Sequence, residues 1–186
     1  MSIEEEKERL IAKIVDIELD MFLSTPNEGG TSVCQTRPNS FRVMRWMNHC
    51  THDTATLESY LEDLEEAVAA GRNLMIEKYA RMDDRLPPLS TSPLLDEITD
   101  MEIRFLQEAA ARYPHAISVN CDSIFRRYFR CELETLSERT LRLYAAEMRR
   151  AVQEGRNTAV ERYDSLWRKL GEGSLEAYEK KLAARQ

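Results

Sequence analysis

The sequence predicts an all-α protein: a single helical bundle built from two tandem three-helix repeats with pseudo-twofold symmetry, followed by a short C-terminal helix. Three observations predict it. Apolar residues recur at spacings of three and four along most of the chain, the signature of one buried helix face. No stretch alternates with a period of two, so no sheet is expected. The string Ala67-Val68-Ala69-Ala70-Gly71-Arg72-Asn73, running on to Glu77 and Tyr79, returns as Ala151-Val152-Gln153-Glu154-Gly155-Arg156-Asn157, Glu161 and Tyr163, always 84 positions later (155 − 71 = 84).

The same offset, without a gap, aligns Leu10 with Leu94, Ile14 with Ile98, Asp16 with Asp100, Glu18 with Glu102, Phe41 with Phe125, Arg42 with Arg126, Leu57 with Leu141 and Tyr60 with Tyr144. A shared helical period can match apolar positions by accident. It does not also match Gly, Asn, Arg and Glu at one offset. The expected units are residues 3–86 and 87–170, closing into one domain, with 171–186 as the terminal helix. This period exceeds the roughly 20–50 residues of solenoid repeats, and two copies do not make an array.

A chain of 186 residues is long enough to bury a proper core. Its net charge of −7 argues against nucleic acid as a partner, because phosphate-backbone binders carry a basic face. The four cysteines, Cys34, Cys50, Cys121 and Cys131, form no CxxC pair, and reduced thiols in a cytoplasm are the expectation. The start, Ser2-Ile3-Glu4-Glu5-Glu6-Lys7, is acidic where a signal peptide is basic and then apolar. No apolar run approaches the roughly 18 residues of a membrane span, so no membrane partner is expected.

Taken in order, the first helix begins at Ser2, where Ser2-x-x-Glu5 reads as a capping box, and runs to about Ser24. Its apolar stripe is Leu10, Ile11, Ile14, Met21 and Phe22, with Glu18 in the middle. The second copy places Glu102 at the matching point among Leu95, Ile98, Phe105 and Leu106. A carboxylate on a buried face needs a cation or several donors, and Arg42 and Arg126 are the expected cations.

Residues 25–39 form a loop rich in turn formers, with Gly29-Gly30 offering amides that an anion could use. A second helix spans about 40–50. Asp53 caps a long third helix that buries Leu57, Leu61, Leu64, Val68, Gly71, Met75 and Met82. The apolar phase passes straight through Gly71, so one continuous helix is expected. A mid-helix Gly costs about 1 kcal/mol relative to Ala, and close approach of the two third helices would explain its recurrence.

Residues 83–92 link the copies. Ser92 and Pro93 start the fourth helix as cap and first helical residue, a fifth spans about 122–133, and a sixth, capped by Ser137, runs from about 138 to 170. Ser174 caps the terminal helix.

The candidate ligand-binding residues are the matched polar set: Glu18, Arg42, Asn73, Glu77 and Tyr79, with Glu102, Arg126, Asn157, Glu161 and Tyr163. An idle solvent face drifts between copies, whereas these residues return. Either they are buried salt bridges and interhelical hydrogen bonds, or they converge on a pocket between helices, where bundles build their ligand and metal sites. A di-metal site from Glu18, Glu77, Glu102 and Glu161 lacks the Glu-x-x-His of such sites, since Ala80 and Asp164 stand where His is required. His49, Cys50 and His52 with Cys34 carry ligand-type atoms at partly suitable spacing, but the second copy has Leu133, Glu134 and Leu136 there. Cys34, near Arg37, is the thiol with the best activating surroundings. The sequence specifies no catalytic residue, metal or cofactor.

The strings Asn27-Glu28-Gly29-Gly30 with Cys34-Gln35, Phe41-Arg42-x-Met44-Arg45, and Gly71-Arg72-Asn73-Leu74-x-x-Glu77-Lys78-Tyr79-Ala80-Arg81-Met82 resemble the bacterial family known as domain of unknown function 4125. The likeness extends through Tyr113-Pro114 and the stretch from Leu141 to Asn157. It implies a bacterial, cytoplasmic protein and carries no activity. Two readings follow: a protein that binds a small molecule or metal in a polar pocket between its repeats, or a non-enzymatic helical interaction module or obligate subunit whose polar clusters are structural.

Overall fold

In the computed structural model, which describes residues 2–27, 30 and 33–185 apart from the Cys34 side chain, the described chain is helical with no strand. The helices are α1 (Ile3–Leu23), α2 (Pro38–His49), α3 (Thr54–Ala69), α4 (Leu74–Met82), α5 (Leu94–Arg112), α6 (Ser123–Leu133), α7 (Glu138–Gln153), α8 (Thr158–Lys169) and α9 (Leu175–Ala183). The expected capping box is formed at Ser2 and Glu5. The fourth predicted helix begins one residue later than expected, with Pro93 outside it and the Ser92 hydroxyl accepting from the Leu94 amide at 3.3 Å. The loop after α1 contains a short 3-10 turn, Val33–Thr36. The proposed amide of Gly29 and thiol of Cys34 lie outside the described residues.

The long third and sixth helices are each broken in two, contrary to the continuous-helix expectation. Gly71 and Gly155 have φ of +68° and +66°, a left-handed conformation that ends a helix and that only Gly adopts without strain. The Arg72 amide donates to the Ala67 carbonyl at 2.8 Å and the Gly71 amide to Val68 at 3.0 Å, the reciprocal bonds of a Schellman cap. Two residues on, Asn73 restarts the chain as the N-cap of α4, its side-chain oxygen accepting from Met75 and Ile76. Gly155 and Asn157 do the same before α8. The apolar spacing of the sequence runs on across the break, so periodicity alone could not reveal it, although Val68 and Gly71, expected on the buried stripe, are exposed. Close helix approach is not the reason for the glycines, because a Cβ at either would meet nothing within 4 Å.

Within each half, three helices pack on one: α2, α3 and α4 on α1, and α6, α7 and α8 on α5. Between the halves, α3 packs against α7, α4 against α6, and α2 against α8. The first core centres on Ile11, Ile14, Leu57 and Leu64. The second half buries Leu95, Ile98 and Leu141 in one cluster and Phe105, Ala109 and Met148 in another. The terminal helix α9 adds Leu175 to the latter and stacks Tyr178 on Trp167 with ring centroids 4.0 Å apart. No described helix is long and apolar enough to cross a membrane.

Candidate functional site

Where the two halves meet they leave a cavity of about 450 Å³. Its walls come from α1, α2, α3 and α4 on one side and α5, α6, α7 and α8 on the other, with Phe22, Phe41, Tyr60 and Tyr79 from the first half and Phe125, Tyr144 and Tyr163 from the second. Met44 and Asn48 of α2 line it and are exposed, so the cavity opens to solvent beside that helix. Aromatic rings dominate, and a few charged groups are set among them.

Glu18 lies immediately behind the wall with no exposed surface. Arg45 grips it with two bonds, Nε to Oε2 at 2.9 Å and Nη2 to Oε1 at 2.5 Å, while the Tyr60 hydroxyl donates to Oε1 at 2.7 Å. His49 Nε2 stands 3.1 Å from both carboxylate oxygens. Arg45 Nη2 also reaches Glu132 at 2.9 Å, and Glu132 accepts from Lys78 Nζ at 2.7 Å. The Lys78 ammonium sits 3.8 Å from the Tyr128 ring centroid, a cation–π contact that helps hold a buried charge.

These contacts set the protonation states. Burial alone would raise the Glu18 carboxyl, but Arg45 and then His49 outweigh it and hold the group far below the usual carboxylate range. Glu132 shows the same balance: burial raises it, Arg45 and Lys78 lower it further, and it comes to about 2. Burial pushes His49 down against the pull of Glu18, and a hydrogen on Nε2 suits the carboxylate it faces. Burial, and then the neighbouring carboxylates Glu18 and Glu102, drive Tyr60 and Tyr144 well above the ordinary phenol range.

In the second half, Glu102 lines the cavity and meets Arg162 of α8, which donates Nη1 to Oε2 at 3.2 Å and Nη2 to Oε1. Burial opposes the charge on Arg162, and Glu102 more than restores it. His52 packs edge-on against Tyr144, ring centroids 4.5 Å apart, and hydrogen-bonds Glu147 through Nδ1 at 2.7 Å.

Of the ten candidates from sequence, Tyr79, Glu102 and Tyr163 line the cavity and Glu18 stands one bond behind it. The other six are not in its walls. Arg42 and Arg126, expected to neutralise Glu18 and Glu102, instead pair with Asp16 and Asp100 at 2.5 and 2.7 Å, on the exposed edges of their helices. One helical turn separates Arg42 from the inward face that Arg45 occupies. Asn73 and Asn157 tie the helix breaks to the first helix of their own half, their Nδ2 groups donating to the carbonyls of Met21 at 2.8 Å and Phe105 at 3.0 Å. Glu77 and Glu161 are held in two-bond pairs by Arg72 and Arg156 just before α4 and α8. The matched string is therefore a device that stops a helix, turns the chain and restarts it.

The four-carboxylate metal set is not assembled, since Glu77 and Glu161 are engaged elsewhere. Nor do His49, Cys50 and His52 converge: His49 faces Glu18, His52 faces Glu147, and the Cys50 thiol is directed at the Met47 carbonyl, 3.2 Å away. Among the described residues no group of three or more His, Cys, Asp or Glu side chains is arranged to hold a metal ion.

Sequence reasoning missed Arg45, Lys78, Glu132 and Arg162, and it read His49 as a candidate metal ligand, not as a partner of Glu18. Lys78 and Arg162 stand 84 positions apart (162 − 78 = 84), both cations on the buried side of a short helix, and that match was available. Arg45 and His49 had no such signal, because Phe129 and Leu133 occupy the corresponding positions.

Fold and site together define an all-α bundle around an aromatic-walled cavity braced by buried ion pairs. The chain belongs to the family described as Protein of unknown function (DUF4125), which matches residues 8–180. No curated protein and no solved structure matches it significantly.

Proposed function

We propose that the protein binds one small, largely apolar molecule in the cavity between its halves. The observation that carries this reading is the cavity itself: about 450 Å³, within the roughly 300–1,000 Å³ of small-molecule sites, mostly apolar and ring-lined with a few fixed polar groups. Packed interiors leave few voids larger than a water molecule. The ion pairs behind the rings support it, since Glu18, Arg45, Glu132 and Lys78 tie α1, α2, α4 and α6 together and hold the walls apart without needing a ligand.

The reading includes a tandem duplication. Under the 84-residue offset the packing of α4 on α6 exchanges with that of α8 on α2, and α3 on α7 maps onto itself, as a twofold relation between descendants of one unit requires. A cytoplasmic location belongs to it as well, on the absence of a cysteine pairing pattern in the sequence.

A titration with N-phenyl-1-naphthylamine, a neutral fluorophore that brightens on leaving water, tests the reading. One probe per chain is expected, with binding lost in Met44→Trp, whose larger side chain at the exposed rim closes the opening without disturbing the core. No binding by the wild-type protein, or equal binding by a Met44→Trp variant with an unchanged melting temperature, overturns it.

A further inference from the structure

The chemical class of the occupant can be argued from how charge is distributed around the cavity. The charged side chains lining it are Arg45, Arg162, Glu102 and Glu132, two of each sign. Arg162 is matched by Glu102. Arg45 lies between Glu18 and Glu132, and Lys78 completes Glu132 from behind. Counting this second layer, the set holds three cations and three anions, each within ion-pair distance of an opposite charge. Glu147, behind His52, is satisfied by three donors: His52 Nδ1, the Asp53 amide and the Thr56 hydroxyl. Five other ionisable groups in the wall are shifted toward their neutral forms. His49 is pushed down by burial, and Tyr60, Tyr79, Tyr144 and Tyr163 are all pushed up by it.

An ion entering such a place has no free counter-charge. It must either break an existing pair, leaving its other member buried and alone, or remain without a counter-charge in a mostly apolar site, and both are costly. A neutral molecule disturbs nothing. Its flat faces can stack on rings presented from both halves, and a hydroxyl or carbonyl can meet the tyrosine hydroxyls and guanidinium edges.

Resting on the cavity-binding reading above, we propose that the site selects an uncharged, ring-containing molecule with one or two hydrogen-bonding groups and discriminates against both anionic and cationic analogues of the same size.

The test uses three ligands that share one ring system and differ in charge: 2-naphthol, 2-naphthoate and 2-naphthylmethylammonium. Each is titrated at pH 7 as a competitor of N-phenyl-1-naphthylamine on the full-length protein. The naphthol is expected to bind at least about tenfold more tightly than either ion, the ratio that a modest fraction of the cost of burying an unpaired charge supplies. If the fluorophore binds but either ion competes as well as or better than the naphthol, or the naphthol does not compete, this inference falls and the cavity reading stands. If the fluorophore itself does not bind, the cavity reading falls and takes the inference with it.

Discussion

Glu18 on α1 and Glu102 on α5 sit 84 positions apart on the apolar faces of their helices, and they draw their cations from different places. Glu18 is served by α2, through Arg45 and His49, and by Tyr60 of α3. Glu102 is served by α8, through Arg162. The residues present explain the difference: Phe129 and Leu133 stand 84 positions after Arg45 and His49, while Lys78, 84 positions before Arg162, turns to Glu132 across the interface. By contrast, the Gly-Arg-Asn break keeps its Schellman cap, its Asn cap and its two-bond Arg–Glu pair in both halves, although Asn157 caps one amide where Asn73 caps two. Interactions spanning a few residues are reproduced wherever the string recurs. Interactions between helices depend on which neighbour supplies the partner, and that neighbour differs between Glu18 and Glu102.

The largest expected effect comes from isolating a buried charge. Arg162→Met leaves Glu102 without its cation and is expected to cost about 3–5 kcal/mol of unfolding free energy in urea, while the double substitution Glu102→Leu with Arg162→Met recovers most of it. A double variant no more stable than the single would show that the pair is not what Arg162 contributes, and the contrast with the Glu18 network would lose its basis.

Acid should act chiefly through the Glu18 network. Glu132 and Glu18 are held below their ordinary value of 4.5 and His49 below 6.5. For all three the unfolded chain binds more protons than the folded one between the two values, so stability rises with pH there. Their contribution is complete above pH 6.5. That of His49 is lost first as pH falls, and those of the carboxylates go below 4.5. Glu132 alone, at about 2, accounts for about 3 kcal/mol by linkage. Unfolding free energy measured against pH should therefore fall below 4.5 with a shallower slope in Glu132→Gln. An identical slope would place the acid sensitivity elsewhere.

The smallest effect tests the reproduced motif. Gly71→Ala and Gly155→Ala each force a left-handed residue and should cost about 1–2 kcal/mol, equally in the two halves. A continuous helix would instead be stabilised by about 1 kcal/mol on the same change. The sign of the shift in melting temperature therefore decides between a break and an unbroken helix.

Much of the architecture was legible before any coordinates. The helix starts at Ser2, Asp53, Ser137 and Ser174 follow from residues that favour caps, and the burial of Glu18 and Glu102 follows from their place in a three-four apolar stripe. The break at Gly71 was not legible from the stripe, because the apolar phase is continuous across it. It was legible from Gly followed two positions later by Asn, a helix stop and a helix start. Arg42 is the partner the sequence suggests for Glu18 because Arg126 stands 84 positions later, whereas the actual partner, Arg45, has Phe129 at that offset.

The sequence by itself determined that the chain is helical, where most helices begin, and that two carboxylates go inside, because caps and periodicity are properties of neighbouring residues. Only the tertiary structure decided that α2 crosses to α8 and α4 to α6, that Arg45 and Arg162 rather than Arg42 and Arg126 face inward, and that a ring-lined cavity remains between the halves. Those outcomes depend on the angle and depth at which one helix meets another, and that is fixed by the packing of residues far apart in the chain.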